Sequence, residues 1–178
     1  MKLVREHINE EEEYKPKWIT NQKTTPEYIR KITRDMSPWD KFQLAVENNI
    51  VWLFKEALEE GVHPWHQDNW AIRWASGAGF DEIVKILLEY PEVDPTVRSN
   101  ETIYQAVWND HINTVKILLE DGRIDPSYND NKLLYVSSEL YRYDIVKLLL
   151  DDKRVMDKVN LVWYERDKYS DYLKNYED

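Results

Sequence analysis

Three segments of this chain superimpose without gaps at a spacing of 31 residues: Ile83-Val84-Lys85-Ile86-Leu87-Leu88-Glu89, Thr114-Val115-Lys116-Ile117-Leu118-Leu119-Glu120 and Ile145-Val146-Lys147-Leu148-Leu149-Leu150-Asp151. Such a period restricts the chain to repeat architectures, in which a unit that cannot bury its apolar side alone buries it against its neighbours. A fainter copy, Leu53-Phe54-Lys55-Glu56-Ala57-Leu58-Glu59, lies 30 residues before the first, so four units are counted. Apolar residues stand at i, i+1, i+4 and i+5, as do Ile83, Val84, Leu87 and Leu88, with Thr114 at i in the second copy. These form one stripe of an amphipathic helix, with Lys85 turned away from it.

A second helical segment precedes each clear copy: Trp70 to Ser76, Glu101 to Trp108 and Lys132 to Leu140. Asn69, Asn100 and Asn131 stand just before them, where an N-cap is predicted. The small residues Ala75, Ala106 and Ser137 recur where two helices must approach closely. Val93-Asp94-Pro95 and Ile124-Asp125-Pro126 are read as turn-forming connectors, because proline cannot continue a helix. The predicted unit is therefore helix, tight turn, antiparallel helix, extended loop. The expected fold is all-α, an elongated helical solenoid.

The run Asn69-Trp70-Ala71-Ile72-Arg73-Trp74-Ala75-Ser76, with Gly79 and the following Ile83-Val84-Lys85-Ile86-Leu87-Leu88 and Val93-Asp94-Pro95, resembles the ankyrin repeat. The likeness is to the shortened, tryptophan-containing type found in large DNA viruses and some amoebae. The usual period is 33 with the signature T-P-L-H-x-A. Here Ala71 to Ala75, Thr102 to Ala106 and Leu133 to Ser137 occupy the signature without its proline and histidine, and the shorter period implies a tighter loop. The resemblance covers roughly residues 39–157.

That resemblance implies a partner-binding concave surface made of the loop tips and the exposed side of each first helix. Mapped through the Ala75/Ala106/Ser137 register, the expected partner-binding residues are His66, Gln67 and Asn69 in the second unit. In the third they are Arg98, Asn100, Trp108 and Asn109, and in the fourth Tyr128, Asn129, Asn131 and Glu139. Trp108, Arg98 and Tyr128 are the expected anchors, since Trp, Tyr and Arg dominate interface hot spots. For Trp108 the competing reading is packing on the next unit. Trp70 and Trp74 fall inside the signature and are expected to be framework, while Lys85, Lys116 and Lys147 are expected on a solvated outer face.

The flanks give a three-part organisation: a polar N-terminal extension with a short helix over 1–36, the array over 37–157, and a C-terminal capping helix over 158–178. Thr25-Pro26-Glu27 and Ser37-Pro38-Trp39-Asp40 both read as a capping hydroxyl followed by proline at the first helical position. The run Glu10 to Glu13 marks an exposed arm, or one that folds onto a partner or the first repeat through Tyr14 and Trp18. Leu161 to Tyr176 is read as the cap that shields the last open face.

Charge and composition narrow the function. The chain carries 24 Lys and Arg against 34 Asp and Glu, and residues 39–157 carry 12 against 22. Such a surface repels phosphates, so neither nucleic acid nor a membrane surface is an expected partner. With no cysteine, thiol catalysis, disulfides and cysteine-ligated metals are excluded. No apolar run approaches the ~18 residues of a membrane span, and a monomeric, cytoplasmic protein is expected. Phosphate-binding glycine loops, zinc-protease and nucleophile-elbow motifs are missing. The pair His63 and His66, with Asp68 nearby, lacks further ligands at metal-binding spacing. No cofactor is expected. The reading is a non-enzymatic adaptor or inhibitor that binds a protein, a host protein if the chain is viral. The alternative is an acidic decoy that occupies the basic groove of a nucleic-acid-binding protein.

Overall fold

The computed structural model describes residues 25–159, so the expected N-terminal arm and nearly all of the expected capping helix lie outside the described residues. Ten helices and no strand occur among the described residues: α1 Pro26–Thr33, α2 Pro38–Glu47, α3 Val51–Glu59, α4 His66–Ala78, α5 Asp81–Leu88, α6 Val97–Trp108, α7 Ile112–Glu120, α8 Tyr128–Glu139, α9 Tyr143–Leu150 and α10 Lys153–Val159. They divide into two compact units between Pro64 and Trp65.

The first unit starts from its caps. The Thr25 hydroxyl accepts from the Tyr28 amide at 3.2 Å and the Ser37 hydroxyl from the Asp40 amide at 3.2 Å, each ahead of a proline at the helix start. Behind these starts, Phe42, Ala45 and Val46 of α2 meet Leu53, Phe54 and Ala57 of α3 in the core, with the Phe42 and Phe54 rings 5.2 Å apart. Lys41 reaches Glu60 at 2.5 Å, and that bond raises its pKa above the usual lysine value.

In the second unit α4/α5, α6/α7 and α8/α9 form three antiparallel pairs, and α10 packs on α8 and α9. First helices pack on first helices and second helices on second helices. The repeated stripe becomes the core: Ile83, Val84 and Leu87, then Val115 and Leu118, then Ile145, Val146 and Leu149 are all buried. Ala75, Ala106 and Ser137 are fully buried where first helices meet, as their size predicts. Each tight turn needs one left-handed residue, supplied by Gly79 (φ 71°), Asp110 (φ 63°) and Tyr141 (φ 57°). At Gly79 only glycine fits without movement, because a Cβ there would lie 2.6 Å from Nδ1 of His111 in the next pair.

Within α4, α6 and α8, the asparagines that precede the regular right-handed turns do not act as ordinary N-caps. Asn69, Asn100 and Asn131 each end a run of three left-handed residues, the runs being Gln67-Asp68-Asn69, Arg98-Ser99-Asn100 and Asn129-Asp130-Asn131. Each run is closed by a backbone bond, for example from the Asn69 amide to the Trp65 carbonyl at 3.2 Å. Left-handed backbone costs an ordinary residue roughly 1–2 kcal/mol, less for Asn and Asp, whose short polar side chains bond locally. That cost explains why Asn and Asp fill most of these positions. The Asn69 side chain then turns inward, and its Oδ1 accepts from the Asp94 amide of the following connector at 2.9 Å.

Candidate protein-interaction surface

With Ala71, Ile72, Ala75 and Ser76 of α4 buried, helical geometry turns Trp70, Arg73, Trp74 and Gly77 to the opposite side. The matching positions are Glu101, Tyr104, Gln105 and Trp108 on α6, and Lys132, Tyr135, Val136 and Glu139 on α8. This face is rich in aromatic rings. Trp108 is 62% exposed and Trp74 47% exposed, and the Trp74 ring lies 6.0 Å from that of Trp70. Tyr128, at the start of α8, is exposed beside Tyr104, whose hydroxyl pKa is raised by burial and by this neighbour.

Equivalent positions on this face are bridged by different chemistry at successive junctions. Arg73 Nη1 donates to both carboxylate oxygens of Glu101 at 3.3 Å. One period later Tyr104 replaces the arginine and Lys132 the glutamate, and the lysine Nζ lies 5.7 Å from the Tyr104 ring centroid. The helix ends are tied as well: Asn109 Nδ2 donates to the Gly77 carbonyl at 2.9 Å, and Arg142 Nη2 to the equivalent Trp108 carbonyl at 3.0 Å.

A second set of ties lies at the connectors. Arg123 is held by Asp121, at 2.6 and 2.8 Å, and reaches back to the Val93 carbonyl at 2.6 Å and the Leu88 carbonyl at 2.8 Å. Thirty-one residues on, Arg154 is held by Asp152 and donates to the Ile124 carbonyl at 3.1 Å. The Arg154 hydrogen bond keeps the Asp152 carboxyl below the usual carboxylate range. For Asp125, burial raises the pKa but is outweighed by the Ser127 hydroxyl and amide and by nearby Lys158 and Arg154, so its carboxyl is lowered too.

A model of ankyrin repeats, in three copies, matches residues 42–130. The chain belongs to the ankyrin-repeat family. The all-α ankyrin-type fold expected from the period is the fold observed, and ankyrin repeats are in general protein–protein interaction modules. No curated protein and no solved structure matches the chain.

On this ankyrin framework the expected site residues separate. His66, Gln67, Arg98, Trp108, Asn109, Tyr128, Asn129 and Glu139 are exposed. Asn69, Asn100 and Asn131 are buried and are not presented to a partner; Asn131 Nδ2, for instance, donates to the Val155 carbonyl at 3.4 Å. Arg98 is engaged within the chain, 2.6 Å from Asp68, and that bond raises its pKa. Trp74, expected in the framework, instead lies on the outward face. Trp108 at 62% exposure does not fit the reading of a ring packed away on the next unit.

Sequence reasoning assigned Trp74 to the framework and passed over Tyr104, Gln105, Lys132 and Tyr135. The signal was available in the signature itself, because positions i and i+1 that face inward leave i+2 and i+3 outside. The Asp-x-Arg repeat at 121–123 and 152–154 was equally visible. Among the described residues no helix is long and apolar enough to cross a membrane, and no three His, Asp or Glu side chains gather as a metal site.

Proposed function

We propose that the chain is a non-enzymatic adaptor or inhibitor that holds a protein partner on the face formed by α4, α6 and α8, the concave face by analogy with ankyrin repeats. The observation that carries this reading is the pair of strongly exposed indoles, Trp74 and Trp108, on helices whose other sides are fully packed. Large rigid rings in partly desolvated settings supply most of the binding energy at protein interfaces. Gln67, Asn129 and His66 on the left-handed loops, with Tyr128, Asn109 and Glu139, extend the surface around the two rings. Arg98 contributes through the loop that it fixes to Asp68. If the short, tryptophan-bearing repeats are of the viral type, the natural target is a host protein.

The test is affinity capture from the source cell with mass spectrometry, comparing the wild type with Trp74→Ala/Trp108→Ala/Tyr128→Ala. Loss of one stoichiometric protein supports the surface. Capture indifferent to all three substitutions removes it.

The acidic decoy is the second reading, and one observation favours it. Glu89, Glu120 and Asp151 recur, exposed, where second helices end, although carboxylates at a helix C-terminus are opposed by the helix dipole. A decoy is expected to compete with DNA for its target and to lose affinity steeply as salt rises.

A further inference from the structure

We infer that the α4/α6/α8 face takes a peptide segment carrying arginine or lysine side chains, with its cations seated on Trp74 and Trp108. This rests on the reading of that face as the partner-binding surface and adds the chemical class of the partner.

The two rings stand at outward positions of adjacent first helices, with Gly77 in the position equivalent to Trp108. Gly77 follows Trp74 by one helical turn. It abuts Gln105 and Asn109, which flank Trp108 in sequence, and a Cβ at Gly77 would come 3.3 Å from the Gln105 Cβ. The Gln105 and Asn109 side chains thus pack closely over Gly77, whose carbonyl accepts from the Asn109 amide. The exposed area around this contact is dominated by the Trp74 and Trp108 rings.

The protein already seats cations on rings. Lys132 lies over Tyr104 on this same face, and in the other compact unit the Arg30 guanidinium carbon lies 5.2 Å from the Trp52 ring. Trp is the strongest of the three aromatic side chains for this contact, because its ring quadrupole attracts cations most, and a planar guanidinium also stacks on it.

Charge selects the occupant. Residues 65–159 carry 17 acidic against 11 basic side chains. All five arginines among them make contacts within the chain: Arg73 to Glu101, Arg98 to Asp68, Arg123 to Asp121, Arg142 to Asp110 and Arg154 to Asp152. The excess of carboxylates belongs to the unit as a whole, since the outward positions of α4, α6 and α8 balance Arg73 and Lys132 against Glu101 and Glu139, and the unit's own guanidiniums are engaged. A basic segment complements both the rings and this overall charge, whereas an uncharged proline-rich segment complements only the rings.

The experiment uses the full chain with 15N-labelled tryptophan and three ten-residue probes: alternating Arg-Gly, alternating Glu-Gly, and decaproline. The indole signals are assigned with Trp74→Ala and Trp108→Ala. The Arg-Gly peptide is expected to shift the Trp74 and Trp108 signals saturably. Its Kd is expected to rise about fivefold in Trp108→Ala, the equivalent of one exposed cation–π contact, and to rise with salt. Trp108→Phe is expected to recover part of the loss, as a smaller ring still seats a cation.

Equal or larger shifts with decaproline or Glu-Gly overturn the assigned class and leave the surface in place. So does silence of both indoles toward all three probes while partner capture still depends on those rings. If capture is indifferent to the rings as well, the binding surface itself fails.

Discussion

The two helices of each repeat follow different rules. Along α5, α7 and α9 the sequence hardly changes, with Val84, Val115 and Val146 and then Leu87, Leu118 and Leu149 in equivalent buried positions. Along α4, α6 and α8 the inward positions keep their size, but the outward ones run through Trp74, Gln105 and Val136, and through Gly77, Trp108 and Glu139. Where a side chain must fit between neighbours, volume and shape permit few choices. Where it faces outward, successive repeats carry unrelated chemistry without disturbing the stack. Both helices pack on their counterparts in the next repeat, but only the first helices also give each repeat its individual surface.

The sharpest test of this division is paired truncation. Leu118→Ala, in a fully buried second-helix position, is expected to destabilise by about 2–5 kcal/mol, measured by urea unfolding. Trp108→Ala on the first-helix face removes a larger side chain and is expected to change stability by only about 0.5 kcal/mol. Equal losses would break the comparison.

The connector ties lie between these extremes. Arg123→Ala leaves the Leu88 and Val93 carbonyls and Asp121 without their donor, and is expected to cost about 1–3 kcal/mol. The same ties predict a direction with pH. Asp125 and Asp152 have lowered pKa values in the folded chain, so their contribution is present above the ordinary carboxylate range and is lost as pH falls through the folded values. Unfolding midpoints at pH 7 and pH 3 are expected to differ less in Asp152→Asn than in the wild type.

The smallest change concerns a turn. Tyr141 is 68% exposed at φ 57°, where the preceding repeats use Asp110 and Gly79. Tyr141→Asn is expected to raise stability by roughly 0.5–1 kcal/mol by relieving left-handed strain, read as a higher midpoint with an unchanged urea slope.

The period and the helix stripes were readable because burial acts on side-chain size at fixed spacing, and size is written directly in the sequence. The caps at Thr25 and Ser37 were readable for a similar reason, since a local bond spans three residues. The asparagines before the regular turns of the first helices misled, because Asn favours both an N-cap and the left-handed backbone, and only the pull of Asp94 on the Asn69 side chain separates the two. Trp74 misled because a position inside a repeat signature still has an exposed side. The pairing of Tyr104 with Lys132 was hidden because it spans 28 residues rather than the repeat period, a diagonal that depends on how adjacent helices are offset.

The arginines that tie one repeat to the next bear on how this array melts. A contact inside a hairpin adds to that hairpin's own stability, whereas a contact across a junction rewards a hairpin only when its neighbour is also folded. In a nearest-neighbour chain the second kind sets cooperativity. Because every arginine in residues 65–159 reaches a neighbouring repeat or connector, these side chains strengthen coupling between hairpins. Short repeats so joined would unfold as one block, with little fraying from either end, and would keep the spacing of the exposed rings constant until the whole block gives way.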